Sequence, residues 1–202
     1  MDNEKLKKWK TLANTILDAS RDFMNSCNEK FAQGIIGELL TFSQLISTYE
    51  NDFLSNNKNE IIYLGSSRKS FDINLLLNGN NIEINSKGTT EYDKNGKPKW
   101  VRQHARNFCT FSGNSDGTNK INPITNYKTN FFYIYVDIKK WLQTAGADFF
   151  VLSDEEAKKI FGKKYASWYD GKPKRSNDSD DMWVEYSDIE MYKDNTLSRF
   201  KK

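Results

Sequence analysis

The sequence predicts a mixed α/β (or α+β) domain built around a central sheet. Two helical patterns come first, short β-prone runs follow, and a capped helix comes after the last long apolar run. The length of 202 residues is typical of one domain. Hydrophobic residues make up only 37% of the chain, but 14% of it is aromatic, and each aromatic ring buries a large area in a core.

The first sixty residues predict two amphipathic helices. Apolar residues recur every three or four positions in residues 4–30 and again in residues 34–49. The second pattern, "GIIGELLTFSQLISTY", places Glu38 within a helix. Residues 51–59 are polar, and we expect them to connect the second helix to the first strand.

The next stretch predicts a short strand at 61–64 and then a β-hairpin. In "FDINLLLNGNNIEINSK", apolar and polar residues alternate, and Asn-Gly tolerates the positive φ angles of a tight turn. We expect strands at 71–77 and 82–88, joined by "NGNN". Alternation places five polar residues on one face of the hairpin: Asp72, Asn74, Glu83, Asn85 and Lys87.

A four-residue turn fixes the expected register of this hairpin. It sets Asp72 opposite Lys87, with Cβ atoms ~5 Å apart, and Asn74 opposite Asn85. Glu83 would then lie nearer the turn. Such a face is often simply solvated, but a basic loop precedes the hairpin, and the helix that carries Glu38 could bring another carboxylate close. Both observations favour a functional site.

The second half of the chain predicts the rest of the sheet. Residues 130–138 are almost all apolar and β-prone, which is typical of a strand buried on both faces, and residues 148–152 predict another strand. Ser153 and Glu156 have the spacing of a capping box and predict the start of a helix. We expect residues 163–181 to form a loop that is first basic and then acidic.

The order "GIIGELL … SFDI … IEINSKG" resembles the PD-(D/E)XK nuclease superfamily over about Gly34–Lys87. In that family a helix glutamate precedes an aspartate on one strand of a hairpin. The next strand carries an acid, any residue and then lysine. By this resemblance Glu38 is the helix glutamate, Asp72 the first metal ligand and Glu83 the second acid.

The resemblance implies a restriction-endonuclease-like fold, in which helices flank a mixed central sheet. The chain would then be one domain. Residues 1–60 would supply the N-terminal helices and residues 61–90 the catalytic hairpin. Residues 91–202 would supply the remaining sheet, a helix and the loops that contact DNA.

The chain departs from the family pattern at the lysine position, since Asn85 stands two residues after Glu83. Two readings of the motif follow. In one, Glu83-Ile84-Asn85 carries asparagine in the place of lysine. In the other, Asn85-Ser86-Lys87 carries asparagine in the place of the acid. The apolar neighbours of Glu83 favour the first reading, and the expected pairing favours the second.

The implied chemistry suits these residue types. Carboxylate oxygens bind Mg²⁺, which keeps several waters and can contact a phosphate, and asparagine offers a weaker, neutral oxygen. A lysine beside the metal can orient the attacking water and stabilise developing charge. The candidate metal ligands are Asp72, Glu83 and Asn85, with Lys87 and Glu38 as further catalytic residues.

The resemblance implies that the protein is a Mg²⁺-dependent endonuclease that cuts double-stranded DNA. It would be a type II-like restriction enzyme. Asn85 in the lysine position favours one alternative, a DNA-binding module of the same fold that has lost catalysis. The other alternative is a non-nuclease interaction protein whose polar hairpin face is only solvated.

Basic residues in three segments are the candidate DNA contacts. They lie in "GSSRKS", in "WVRQHARNF" and near "DGKPKR", and short basic clusters of this kind can grip backbone phosphates. Whether the second segment is a strand or a helix decides which of its side chains share a face. The candidates are Arg68, Lys69, Arg102, His104, Arg106, Lys172, Lys174 and Arg175.

Composition also indicates in which compartment the protein acts and what it can bind. The start of the chain lacks the apolar segment of a signal peptide, and the apolar runs are shorter than the ~20 residues of a membrane helix. Two cysteines are too few for a disulfide framework, so we expect a cytoplasmic protein. The net charge of +3 is compatible with nucleic acid, and a homodimer is possible because related enzymes often match a palindrome.

Overall fold

The computed structural model describes residues 2–27, 30–65, 71–172 and 181–201. In these residues three α-helices come first, seven strands follow, and α-helices then alternate with the last two strands. The helices are α1 (Asn3–Cys27), α2 (Lys30–Thr48), α3 (Glu50–Ser55), α4 (Ile138–Thr144), α5 (Asp154–Tyr169) and α6 (Tyr186–Ile189). The strands are β1 (Glu60–Tyr63), β2 (Ile73–Leu77), β3 (Asn80–Thr89), β4 (Lys99–His104), β5 (Cys109–Gly113), β6 (Asn119–Pro123), β7 (Phe131–Asp137), β8 (Asp148–Ser153) and β9 (Asp181–Glu185).

The central sheet has five strands in the order β1-β2-β3-β7-β8. The first three strands pair antiparallel, β3 pairs parallel with β7, and β7 pairs antiparallel with β8. Two small sheets, β4–β9 and β5–β6, stand apart from it. The predicted mixed α/β architecture, a mixed central sheet flanked by helices, is therefore confirmed.

Each face of the central sheet carries its own apolar core. On one face, Ile84 and Val136 pack in a cluster with residues of α1 and α2. On the other face, Tyr135 lies 5.7 Å from Trp100 of β4 and 6.0 Å from Phe161 of α5, measured between ring centroids. Strand β7 contributes to both cores, which confirms the prediction of a strand buried on both faces.

Two sequence expectations about helices are wrong. The expected connector at 51–59 begins with the short helix α3, because Phe53 is fully buried and Glu50 and Asp52 suit the positive end of a helix dipole. The loop expected from residue 163 begins later. Helix α5 continues to Tyr169, because Tyr165 is buried against the second core.

The outer edge of β8 is covered by the segment that follows α6. The Phe149 carbonyl accepts a hydrogen bond from the Asp194 N–H at 2.9 Å, and Asn195 Oδ1 accepts one from the Phe149 N–H at 3.0 Å. Arg199 Nη1 donates to the Val151 carbonyl at 2.6 Å. Residues 193–199 therefore satisfy backbone groups that an edge strand would otherwise expose.

Helix α2 crosses β3 at an unusually short distance. A Cβ atom built on Gly37 would lie 2.6 Å from the Gly88 nitrogen, and one on Gly88 would lie 2.6 Å from the Gln33 carbonyl oxygen. Only glycine fits at both positions without a backbone shift. This close crossing brings the middle of α2 against the last residues of β3.

Within the described ranges, the helices are too short or too polar to cross a membrane.

Candidate active site

The hairpin turn has two residues. Asn78 and Gly79 both have positive φ angles, 50° and 82°, as a tight hairpin turn requires, and Leu77 pairs directly with Asn80. The predicted four-residue turn is therefore wrong. The sequence "NGNN" does not reveal this, because Asn80 and Asn81 are residue types common in turns and yet they begin β3.

The shorter turn shifts the register by two residues. Asn74 lies opposite Glu83, and not opposite Asn85 as we expected. The expectation that Asp72 lies opposite Lys87 is wrong for the same reason. A shift of two residues keeps the side chains of the paired residues on their predicted faces, so Asn74, Glu83, Asn85 and Lys87 still share one face, with different neighbours. Asp72 precedes the paired residues of β2 and is considered separately.

Asp72 lies where β2 leaves β3. Its N–H donates to the Ile84 carbonyl at 2.8 Å, although Ile84 already pairs with Ile73, so two residues of one strand face one residue of the other, as in a β-bulge. Its Oδ2 accepts the Ser86 N–H at 2.8 Å. The Asp72 carboxylate thus accepts a backbone hydrogen bond from β3 at the point where pairing with β2 has ended, and it lies against the backbone at Ser86.

Glu38 approaches the same place from α2. Its carboxylate is 6% exposed and accepts a hydrogen bond from the Tyr63 hydroxyl at 2.9 Å. The helix is held there by the crossing of Gly37 over β3 and by the hydrogen bond between the Thr41 and Ser86 hydroxyls, 2.9 Å long. Packing of α2 on β3 therefore positions this glutamate.

The two carboxylates and Lys87 interact electrostatically. Burial raises the pKa of Asp72 above its ordinary value, while the Lys87 charge and the Ser86 N–H oppose the rise. Burial also raises the pKa of Glu38, and the neighbouring Asp72 charge raises it further, against the Tyr63 hydrogen bond and Lys87. Glu38, Asp72 and Lys87 form one group, which we call the α2–β3 corner.

Glu83 lies outside this corner. It is half-buried opposite Asn74, and three positions along β3 separate it from Ser86, a distance of ~10 Å along a strand. Asn85 is also half-buried and stands directly before the residue that binds Asp72. The structure therefore brings Asp72 to Asn85-Ser86-Lys87 more closely than to Glu83.

Four candidate DNA contacts fall outside the described residues: Arg68, Lys69, Lys174 and Arg175. Arg102 lies in β4, which settles that its segment is a strand, but its side chain is not among those described. His104 and Arg106 are exposed at the end of β4 and in the 3₁₀ turn after it. Lys172 is exposed as well, with its Nζ 6.0 Å from the Tyr169 ring.

The 3₁₀ turn of Arg106 belongs to the layer that covers the polar face of the hairpin. Asn85 and Lys87 are register neighbours of Tyr133 and Tyr135, so their side chains project from the same face of the sheet. Phe108, which follows the turn, packs on Tyr133 with ring centroids 5.5 Å apart. His104 and Arg106 are therefore carried by the layer on this face.

The donor atoms of the corner suit a hard cation. In the described part of the chain, His, Cys, Asp and Glu do not form any group of three or more that could hold a metal ion. Two carboxylates, Glu38 and Asp72, are nevertheless both buried, and their charges interact. Mg²⁺ usually binds one or two carboxylates and keeps several waters, so this set fits it.

The sequence analysis did not single out Tyr63 and Ser86. Each binds one of the buried carboxylates, yet each stands in a strand where local pattern gives it an ordinary place. Their roles arise from contacts between distant segments.

Comparison with known proteins adds no relative, since no protein-family model, curated protein or solved structure matches the chain.

Proposed function

We propose that the protein is a Mg²⁺-dependent endonuclease that hydrolyses phosphodiester bonds of double-stranded DNA, as a type II-like restriction enzyme does. One observation carries the proposal. Asp72, which precedes β2, accepts the N–H of the residue next to Lys87, and the charges of Glu38, Asp72 and Lys87 interact at the α2–β3 corner. In the Asn85-Ser86-Lys87 reading, these are the helix glutamate, the first metal ligand and the lysine that the resemblance to the PD-(D/E)XK nucleases implies.

Each residue of the corner has a defined role in this proposal. Asp72 and Glu38 would hold the cation, with the Asn85 oxygen as a neutral ligand. When bound, Mg²⁺ supplies a positive charge that lowers the pKa of a coordinated water and neutralises phosphate oxygens. Lys87 would orient that water and stabilise the charge that develops on the phosphate.

The hydrogen bond between Asp72 and the Ser86 N–H supports the Asn85-Ser86-Lys87 reading of the motif. It holds the aspartate over the residues that flank Ser86, and Lys87 acts on the pKa of both carboxylates. Glu83 lies opposite Asn74, three residues before Ser86 along β3. In this reading asparagine replaces the second acid, which removes one negative charge from the site and weakens its hold on the cation.

The direct test is cleavage of mixed plasmid and genomic DNA by the purified protein, with and without Mg²⁺. We expect discrete fragments with Mg²⁺, none with EDTA, and none with the Asp72→Asn variant. Glu155→Gln is the matched control, since Glu155 is an exposed carboxylate of α5. It should cleave like the wild type.

A second candidate function is a DNA-binding module that does not cleave, favoured by Asn85 two residues after Glu83, in the lysine position of the motif. Binding of DNA in Ca²⁺ separates the two, because Ca²⁺ can occupy a carboxylate site without supporting the chemistry. A protein that binds DNA in Ca²⁺ and cuts no sequence with Mg²⁺ or Mn²⁺ is the module. One that neither binds nor cuts contradicts both candidates.

A further inference from the structure

Strands β5 and β6 form a two-stranded ribbon with one polar face. In its register, Thr110 pairs with Asn122 and Ser112 pairs with Lys120, so these side chains project from the same face. All of them are exposed, and we call them the outer row of the ribbon. The outer row offers hydrogen-bond donors, hydrogen-bond acceptors and one positive charge, and none of its members is acidic.

The other face of the ribbon packs on α5. Cys109 and Ile121 are buried in the second core, and the Phe111 ring lies 5.4 Å from the Tyr165 ring of α5, measured between centroids. The apolar face therefore accounts for the packing of the ribbon within its own domain. The outer row projects away from this packing.

The edge of β6 that faces away from β5 is held by the residues at the end of α5. Asp170 Oδ1 accepts a hydrogen bond from the Ile121 N–H at 2.9 Å, and the Lys172 carbonyl accepts one from the Asn119 N–H at 2.8 Å. The Gly171 N–H donates in turn to the Asn119 carbonyl at 2.8 Å. These bonds fix the ribbon to the helix. Rigid presentation of this kind suits side chains that must recognise a partner with precision.

The charges around the outer row are complementary to a phosphate backbone. Lys163 of α5 and Lys172 beside the edge of β6 are exposed, as is Lys120 in the row itself. Two carboxylates lie nearby, but each accepts hydrogen bonds from the chain. Asp170 binds a backbone N–H of β6, and Asp116, in the turn of the ribbon, accepts the N–H and the hydroxyl of a threonine at 2.9 and 2.6 Å. The side chains left to interact with a partner are therefore mainly basic and neutral polar ones.

A ribbon of this form fits the major groove of B-form DNA. The groove is about 12 Å wide and admits two antiparallel strands, which lie ~4.8 Å apart. Lysine pairs with the O6 and N7 atoms of guanine, asparagine with the N6 and N7 atoms of adenine, and serine and threonine with several bases. The residue types of the outer row are thus those that distinguish base pairs from the major groove.

The ribbon lies on the same side of the sheet as Lys87. Its first residue follows Phe108, which packs on Tyr133 with ring centroids 5.5 Å apart. Tyr133 and Lys87 project from the same face, since Lys87 pairs with Tyr135, two residues along β7. The ribbon therefore belongs to the layer on the face from which Lys87 projects.

We propose that the β5–β6 ribbon enters the major groove of the substrate DNA and selects the sequence that is cut. Lys120 contacts a guanine, Asn122 contacts an adenine, and the two hydroxyl residues of the outer row contact neighbouring base edges. Lys163 and Lys172 contact phosphates, which position the duplex without specifying its sequence. This inference rests on the proposed function as a DNA enzyme, and it adds the element that determines specificity.

Selection from random-sequence duplex DNA tests whether the ribbon reads sequence. The protein is incubated with the duplexes in Ca²⁺, so that no strand is cut, and the retained duplexes are sequenced. Asn122→Ala and Lys120→Ala should each lose the preference at one base position, and their affinity for the wild-type site should fall by about 5–100-fold. Both side chains are exposed, so the variants should fold, and circular dichroism verifies it.

Asn51→Ala and Lys58→Ala are the matched controls. Both residues are exposed, and they lie on either side of Phe53, which packs in the core on the opposite face of the sheet. The control variants should select the wild-type sequence with wild-type affinity. Ribbon variants that do the same overturn the proposal, and so does a wild-type protein that selects no sequence.

Modified bases test the groove. 7-Deazaguanine and 7-deazaadenine lack the N7 acceptor of the major groove and keep their base pairing. 7-Deazaadenine at the position read by Asn122 should weaken binding of the wild type and have no further effect on Asn122→Ala. 7-Deazaguanine should show the same relation to Lys120→Ala. Wild-type binding that is insensitive to both modified bases contradicts insertion into the major groove.

The outcomes separate failure of this proposal from failure of the proposed nuclease. If the wild type cuts DNA with Mg²⁺ and the ribbon variants cut the same sequence, the nuclease stands and the ribbon does not read DNA. If the wild type selects a sequence in Ca²⁺ but never cuts with Mg²⁺ or Mn²⁺, and the ribbon variants relax that selection, the ribbon reads DNA and the protein is not a nuclease.

Discussion

The hydroxyl of Tyr63 donates a hydrogen bond to Glu38 Oε2 at 2.9 Å, while the ring of the same tyrosine lies 5.7 Å from the Phe42 ring. One side chain therefore contacts both the buried carboxylate of the α2–β3 corner and the apolar core that contains Phe42. The hydroxyl lowers the pKa of Glu38, but burial and the charge of Asp72 raise it more. Ionisation of these two carboxyl groups therefore lowers the free energy of unfolding.

Neutralising either carboxylate should stabilise the metal-free protein at neutral pH. A carboxyl group whose pKa is raised on folding keeps its proton longer in the folded state than in the unfolded chain. Stability therefore falls as pH rises from the ordinary carboxyl pKa through the raised one. Glu38→Gln and Asp72→Asn should remove this fall, and thermal unfolding in EDTA from pH 4 to pH 8 measures it.

Magnesium should act in the opposite direction on the wild type. A cation that binds only the folded protein raises the unfolding temperature in proportion to the logarithm of its concentration, and Asp72→Asn should lose this effect. Glu155→Gln should match the wild type throughout, because its side chain is 51% exposed. For the preceding prediction, the contradicting outcome is that Glu38→Gln and Asp72→Asn both unfold at a lower temperature than the wild type at pH 7 in EDTA.

The two readings of the motif make different predictions for Lys87 and Glu83. If Asn85-Ser86-Lys87 is correct, Lys87→Ala should lower the single-turnover cleavage rate by about 10²–10³-fold, as expected for loss of one preorganised charge-stabilising group. Glu83→Gln should change the rate much less. Normal cleavage by Lys87→Ala together with an inactive Glu83→Gln would establish the Glu83-Ile84-Asn85 reading instead.

The crossing of α2 over β3 should tolerate only glycine at Gly37. Gly37→Ala places a methyl group against the Gly88 backbone and should destabilise the protein by about 1–3 kcal/mol, as overpacking does. Gly34→Ala is the control in the same helix, where a Cβ has nothing within 4 Å, and it should be neutral or stabilising by up to about 1 kcal/mol. Urea unfolding compares the two, and equal stabilities would show that the crossing is not tightly packed.

Arg106 should contribute to DNA affinity through phosphate contact. Arg106→Ala should weaken binding to all sequences alike and reduce the slope of log affinity against log salt by about 1. Lys7→Ala is the control, since Lys7 is exposed on α1, whose apolar residues pack with the opposite face of the sheet. An unchanged salt slope for Arg106→Ala in fluorescence anisotropy titrations would assign this arginine to structure.

Elements that depend on local pattern could be predicted from the sequence. The apolar periodicity of α1 and α2 and the apolar run of β7 are each read within one segment. The capping box is local too, and the structure confirms it. Ser153 Oγ accepts the Glu156 N–H at 3.3 Å, and Glu156 Oε2 accepts the Ser153 N–H at 2.8 Å.

Contacts between distant segments could not be predicted. The hairpin register depends on whether Asn80 continues the turn or begins β3, and alternation is the same in both cases. The pairing of β4 with β9 joins strands from opposite ends of the second half of the chain. The bond from Tyr63 to Glu38 requires α2 to lie against β1, which no single segment specifies.

The cover over the outer edge of β8 has a consequence for solubility. The sequence of β8, "DFFVLS", is apolar and β-prone, with five of its six residues buried. Without residues 193–199, the carbonyls of Phe149 and Val151 would be open to strands of other molecules. Deletion of residues 193–202 should therefore produce aggregates that scatter light and bind thioflavin T, whereas Met191→Ser, outside the deleted segment, should stay clear. A deletion variant that remains monomeric would show that β8 does not need this cover. If the deletion variant aggregates as expected, the segment of residues 193–199 has a second role besides packing, which is to block intermolecular β-sheet growth.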